Sequence, residues 1–210
     1  MSKRFPHQLG PWTVQTTQTR YENPWIRVEH SEVIHPDGTP GLYGVIRFAN
    51  LAIGVLPIDE TGHVWLVGQH RFPADAYSWE LPEGGSPKDE DPLVGAQREL
   101  KEETGYSAVH WSELARFTIS NSVTDEEAVC YIAAGLSPGQ SAPDASEDLK
   151  VKRVPFKSLY DEVLNGTITD SLTIIMTLMA VQKALRGDLP PAISMLIRRQ
   201  INDNVASPTG

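Results

Sequence analysis

The sequence predicts a mixed α+β sandwich preceded by an antiparallel β segment, on three observations. The first fifty residues read as strands separated by turn signals. A strand–turn–strand unit then leads into one well-delimited helix. Further strands, and finally helices, close the chain. This order favours a mixed α+β arrangement over a doubly wound parallel sheet.

The N-terminal strands fall at 12–19, 26–34 and 42–48, rich in β-branched and aromatic residues. Glu22-Asn23-Pro24 and Pro36-Asp37-Gly38 separate them. Residues 51–58 form a nearly continuous apolar run, which suits a strand buried on both faces. Asp59-Glu60-Thr61-Gly62 turns into a partner strand at 63–69. A loop with Pro73, Asp75 and Ser78 leads to Trp79-Glu80-Leu81-Pro82-Glu83-Gly84-Gly85. A helix follows from 91 or 92 to 104, with Pro92 in its first turn and Gly105 as its stop. Strands are expected at 115–119, 128–134 and 151–155, with a loop at 137–146. Helices are expected at 156–165 and 168–186, a short amphipathic piece at 192–201, and a mobile tail after Asn202. The domain reading is a β segment over 1–50, a catalytic domain over 51–188 and a C-terminal extension over 189–210.

Composition removes several function classes. The chain has 210 residues, 40% of them apolar and 21% charged, which is ordinary for a soluble protein. A net charge of −9 argues against a broad nucleic-acid surface. The single cysteine, Cys130, excludes an internal disulfide and sits in a sequence that reads as buried strand. No apolar stretch approaches membrane-spanning length, and the first ten residues lack the apolar core of a signal peptide. A cytoplasmic location is the resulting expectation. There is no Gly-x-Gly-x-x-Gly after a strand and no Gly-Lys-Ser/Thr phosphate loop.

The chemistry concentrates on the central helix. At about 100° per residue, Glu99, Glu102 and Glu103 span an arc of roughly 100° beside the face that buries Leu100. Carboxylates that close repel unless a cation holds them, and hard oxygen ligands suit Mg²⁺ or Mn²⁺. Three glutamates alone would equally describe a solvated helix face. The frame around them decides between the two readings. Gly84, Glu90, Arg98, Glu99, Leu100, Glu102, Glu103 and Gly105 match the Nudix signature in residue type and spacing, and only Tyr106 departs from it, being aromatic where the signature has an aliphatic residue. Such a match arises by chance on the order of 10⁻⁹ to 10⁻⁸ per start position, given average residue usage. The chain therefore resembles the Nudix hydrolases over residues 84–106.

The resemblance implies the α/β/α sandwich of mixed sheet and a divalent cation, Mg²⁺ or Mn²⁺. It also implies hydrolysis of a diphosphate linked to a nucleoside. It makes Glu99, Glu102 and Glu103 metal ligands, with the Glu83 carbonyl as another. Glu102 and Arg98 enter the catalytic set, Arg98 by pairing with Glu90 and orienting Glu99. Gly84 and Gly105 would serve the loop and the helix exit.

The flanks are similar to the ADP-ribose pyrophosphatase and nucleoside diphosphate sugar hydrolase branch. Gln69-His70-Arg71 and Trp79-Glu80-Leu81-Pro82-Glu83-Gly84 carry this likeness. It implies that Arg71 contacts substrate phosphate, against the reading of an ordinary surface arginine. It leaves Glu80 either binding substrate or pairing with Arg71. Ser120-Asn121-Ser122-Val123-Thr124-Asp125-Glu126 aligns with the branch's catalytic loop, although Asn121-Ser122 replaces Pro-Gly. Glu126 is then the candidate general base, with Glu127 a near competitor. The N-terminal segment matches an element through which members of the branch form homodimers. Trp25 and Arg27 are candidates for the nucleobase contact; Trp12 and Tyr43 read equally as packing residues. The implied substrate is ADP-ribose, cleaved to AMP and ribose 5-phosphate. GDP-mannose or ADP-glucose is the nearest alternative, and a non-catalytic nucleotide-sugar-binding module the alternative of another class. No nucleic-acid or membrane partner is expected.

Overall fold

The computed structural model describes residues 5–139 and 149–202. They cluster into two compact units. One holds the residues up to Leu51 together with Thr118–Glu127, the other Ala52–Phe117 with the residues from Ala128 onward.

The first unit is an antiparallel meander of β1 (His7–Leu9), β2 (Trp12–Glu22), β3 (Ile26–Ile34) and β4 (Pro40–Phe48), in that order. Local side chains set its turns. Asn23 Oδ1 accepts the N–H groups of Trp25 at 2.9 Å and Ile26 at 2.8 Å, an Asx turn that reverses the chain between β2 and β3. Asp37 does the same for Thr39 N–H at 2.9 Å, and Gly38 supplies the left-handed φ of +86° between β3 and β4. The register of β3 on β4 is unbroken from Ile26 opposite Phe48 to Ile34 opposite Pro40. Residues 120–125 dock on β4: Ile46 N–H donates to the Val123 carbonyl, Tyr43 hydroxyl to the Ser122 carbonyl, and Phe48 N–H to Asp125 Oδ1.

The second unit contains two sheets. One has the order β8 (Glu83–Pro87), β5 (Asn50–Pro57), β10 (Glu127–Pro138), β9 (Tyr106–Thr118). In it β5 and β10 run parallel, Ala52 opposite Ala128 through Pro57 opposite Ala133. The other has the order β11 (Lys150–Pro155), β6 (His63–Arg71), β7 (Ala76–Glu80), all antiparallel. The helices are α1 (Pro92–Thr104), α2 (Phe156–Leu164), α3 (Ser171–Arg186) and α4 (Pro191–Asn202).

Successive strand residues face opposite sides of a sheet, and β5 uses both. Ile53 lies toward α1, where a Cβ on Gly95 would stand 3.5 Å from its side chain. Gly54 lies toward α3, where a Cβ would stand 2.7 Å from Met176 Cε. Helices thus cover both faces of the mixed sheet, which is the expected α/β/α sandwich. Its core is Ile53, Val55, Leu56, Leu100, Ile132 and Met176, all fully buried. Cys130 is buried in β10, and burial pushes its thiol up to about 12, so it is a packing residue.

The expected strands and helices recur with informative differences. β9 starts at Tyr106, not near 115, and β1, β7 and β8 lie where no strand was expected. All four are edge strands. Among the described residues, neighbours pair them on one side only, so polar residues, Gly84, Gly85 and Pro87 are tolerated and the apolar signal is faint. α3 starts at Ser171, not 168, because the Asp170 carboxylate caps it through Thr173 N–H at 2.7 Å. α4 packs on α2 and α3 through buried Ile193 and Ile197. The Thr118–Glu127 segment joins the first unit. The rest of the expected 137–146 loop, from residue 140, and the tail from 203 lie outside the described residues. Among the described residues no helix is long and apolar enough to cross a membrane.

Candidate metal centre

α1 supplies the core of the site, and its bounds are written locally. Asp91 caps it by accepting Leu93 N–H at 3.0 Å, Pro92 occupies the first turn, and Gly105 ends it at φ +77°. The helical period then grades the three glutamates. Glu103 is buried beside Leu100; the Glu99 side chain is 14% exposed and that of Glu102 43%.

β8 meets this face of α1. Glu103 Oε2 accepts Glu83 N–H at 3.1 Å. A Cβ on Gly84 would lie 2.3 Å from Glu99 Cδ. Gly84 does not have a left-handed φ, so the site needs its lack of a side chain rather than its backbone freedom. Arg98 ties the loop to the helix. Its Nη1 donates to Glu90 Oε2 at 2.9 Å and its Nη2 to the Gly85 carbonyl at 2.9 Å, with Glu99 Oε1 3.5 Å away. Ser86 hydroxyl also donates to Glu90, at 2.8 Å. Arg98 and then Ser86 hold the Glu90 carboxyl below its usual range.

A second group of carboxylates adjoins Glu83. Glu80, Glu83 and Asp170 each offer an oxygen, all within 4.8 Å of one another. Arg71 Nη2 donates to Glu83 Oε1 at 2.6 Å, and Arg71 also forms a fork on Glu80, with Nε 3.0 Å from each oxygen. Of the two readings for Glu80, the structure forms the ion pair. Burial is the largest influence on Glu83, followed by Asp170 and Glu80, and together they push its carboxyl well above the usual range. Arg71 opposes them. Glu83 Oε2 is buried and has no hydrogen-bond partner among the described residues. Crowded carboxylates with an orphaned buried oxygen fit a hard divalent cation held by oxygen ligands.

Asp170 and Thr173 escaped the sequence reading. Thr173 Oγ1 accepts Leu81 N–H at 2.8 Å, which fastens α3 to the turn that carries Glu80 and Glu83. The Asp-Ser pair at 170–171 is an N-cap signal that could have placed the start of α3.

Glu126, Trp25 and Arg27 belong to the first unit. Burial, and then Asp125, raises the Glu126 carboxyl. Arg27 Nε donates to Glu29 at 3.0 Å and lines a groove of about 680 Å³ with Trp12, Tyr43 and Arg47. Trp12 and Tyr43 pack edge to face at 5.5 Å. Trp25 is 67% exposed at the turn after β2 and is not in the groove lining. His70 lies 3.1 Å from Asp75 on the surface.

Residues 49–171, more than half of the chain, match the NUDIX domain. The chain belongs to the Nudix hydrolase family. Residues 12–46 match the nucleoside diphosphate sugar hydrolase N-terminal domain, which covers most of the β1–β4 meander. This Nudix hydrolase is 31% identical to a methanol dehydrogenase activator of Bacillus methanolicus, over 83% of this chain and 95% of that protein. It is 32% identical to an ADP-ribose pyrophosphatase of Bacillus subtilis, over 67% and 70%. The crystal structure of an ADP compounds hydrolase superposes with a TM-score of 0.76 at 21% identity, covering 87% of this chain and 98% of that one, which supports the shared fold.

Proposed function

We propose that this Nudix hydrolase cleaves ADP-ribose to AMP and ribose 5-phosphate with Mg²⁺ or Mn²⁺. The observation that carries the reading is the convergence of Glu99 and Glu103 on the backbone of β8, beside the orphaned Glu83 oxygen. Glu99, Glu102 and Glu103, with the carbonyl of Glu83, would hold the cation. When bound, it would neutralise the diphosphate oxygens and lower the pKa of the attacking water. Arg98 keeps Glu99 in place through Glu90 and Gly85. Arg71, paired with Glu80 and Glu83 and with its side chain 36% exposed, contacts the substrate phosphates. Trp25 and Arg27 are the nucleobase contacts. Support for ADP-ribose comes from the similarity to the Bacillus subtilis enzyme and from the matching N-terminal domain. As domains, the reading takes a β segment over 1–50 as the dimerisation element, a catalytic domain over 51–188 and a C-terminal extension over 189–210. A homodimer is supported by the exposed apolar residues Leu9, Tyr21 and Leu42 on this segment. The cytoplasm is the proposed location, consistent with a free cysteine.

A panel of ADP-ribose, GDP-mannose and ADP-glucose with product identification tests the substrate. ADP-ribose should give the highest kcat/KM, yielding AMP. If it is turned over much more slowly than GDP-mannose, the ADP-ribose reading fails and the other nucleoside diphosphate sugars take its place. No turnover of any of them favours the non-catalytic binding module.

Glu126 is the proposed general base. A base works deprotonated, and its carboxyl is raised by burial and Asp125. Activity should therefore fall with pH through a value above the ordinary glutamate range of about 4.3. Glu126→Gln should remove that limb and lower kcat by about 10²–10⁴-fold. An unchanged kcat–pH profile in this variant would transfer the role to Glu127 or a signature glutamate.

A further inference from the structure

The turn at 80–83 is held by three different elements at consecutive residues. Leu81 N–H donates to Thr173 Oγ1 on α3 at 2.8 Å. The Pro82 carbonyl accepts Val55 N–H of β5 at 2.8 Å. Glu83 N–H donates to Glu103 Oε2 on α1 at 3.1 Å. The two outer residues of this turn, Glu80 and Glu83, aim their carboxylates at Asp170, the N-cap of α3. Thr173 is fully buried, and its own N–H is taken by Asp170 at 2.7 Å. One residue on the first turn of α3 thus joins the cap to the turn.

We propose that Thr173 is a positioning residue of the metal centre: its hydroxyl fixes the 80–83 turn on the first turn of α3 and so sets where Glu83 stands against Glu103 and Asp170. The proposal rests on the metal-centre reading above. No signature residue reports it, because Thr173 lies some ninety positions beyond Leu81 and acts through a backbone N–H. Thr173→Val is nearly isosteric but has no acceptor. Leu81 N–H, buried with its residue, would then lack a partner, and the turn would relax away from α3. Partners that orient metal ligands without touching the metal typically govern 10–100-fold of metal affinity.

The test is Mn²⁺ binding to the full-length protein, read by calorimetry and by the loss of the free-ion paramagnetic resonance signal, alongside thermal unfolding. Thr173→Val should weaken Mn²⁺ binding by about tenfold or more. Thr173→Ser, which keeps the hydroxyl, should bind as the parent does, within about twofold. Kinetics should show the loss as a raised Mn²⁺ requirement, with kcat largely recovered at saturating metal. A role confined to stability would lower the melting temperature of Thr173→Val and leave its Mn²⁺ affinity at the parent value, which overturns the proposal. Should Thr173→Val not fold, a tenfold weaker affinity in Thr173→Ser would overturn it equally. Parent protein that binds Mn²⁺ but turns over no nucleoside diphosphate defeats the hydrolase reading alone, and the affinity comparison still decides Thr173. Parent protein that binds no Mn²⁺ overturns both.

Discussion

Glu103→Gln is expected to lower turnover by about 10³-fold while the protein stays folded, several kcal/mol of charge stabilisation being at stake where a metal ligand is lost. Glu103 is buried, and one oxygen accepts Glu83 N–H at 3.1 Å. Glutamine has the same length and keeps an oxygen for that bond, so the contact between α1 and β8 can persist. What disappears is the negative charge beside the crowded Glu83 carboxyl. Circular dichroism and thermal unfolding should follow the parent protein, whereas kcat and Mn²⁺ affinity should both collapse. A rate within a few-fold of the parent would show that Glu103 is a structural anchor for β8 and would remove it from the metal centre.

Gly84→Ala should cost about 10²-fold in activity, because a misplacement of about 1 Å in a catalytic group has effects of that order. The added Cβ would stand 2.3 Å from Glu99 Cδ and Oε2, too close to be tolerated. The clash falls on the flexible end of one side chain, not on backbone, so rotation of Glu99 relieves it. Rotation leaves the fold intact and moves the carboxylate away from Arg98 Nη2, 3.5 Å from it now. Backbone strain is not part of the cost, since Gly84 has no left-handed φ. The melting temperature should therefore change by only a few degrees, on the scale of about 1 kcal/mol for a domain of this size. A large loss of stability with normal metal affinity in the folded fraction would place the role of Gly84 in folding.

These two positions show how far a sequence reading reaches. The 84–106 signature names both residues, yet it assigns Gly84 to loop geometry. The contact that makes it indispensable is a close approach between β8 and α1, elements whose packing no local pattern records. Glu80 is similar. Its sequence neighbourhood leaves substrate binding and pairing with Arg71 equally open; the register of β6 on β7 sets Glu80 opposite Val67, and only the folded side chains of Arg71 and Glu80 close the ion pair along the strand.

The sequence alone determined α1 and the arc on which its three glutamates stand. Both follow from local geometry: a first turn at Pro92, a stop at Gly105, and the fixed rotation per helical residue that puts positions 99, 102 and 103 on neighbouring arcs; the Arg98 pair with Glu90 is implied by the family resemblance. Tertiary structure alone decided the edge strands β1, β7 and β8 and the first part of β9, whose pairing comes from neighbours rather than from their own apolar content. It also decided the joining of Thr118–Glu127 to the first unit, and the meeting of Asp170 and Thr173 with a turn some ninety residues earlier. Helical spacing is written in consecutive residues; a carboxylate cluster drawn from β7, β8 and the cap of α3 exists only once the sheets and α3 have packed.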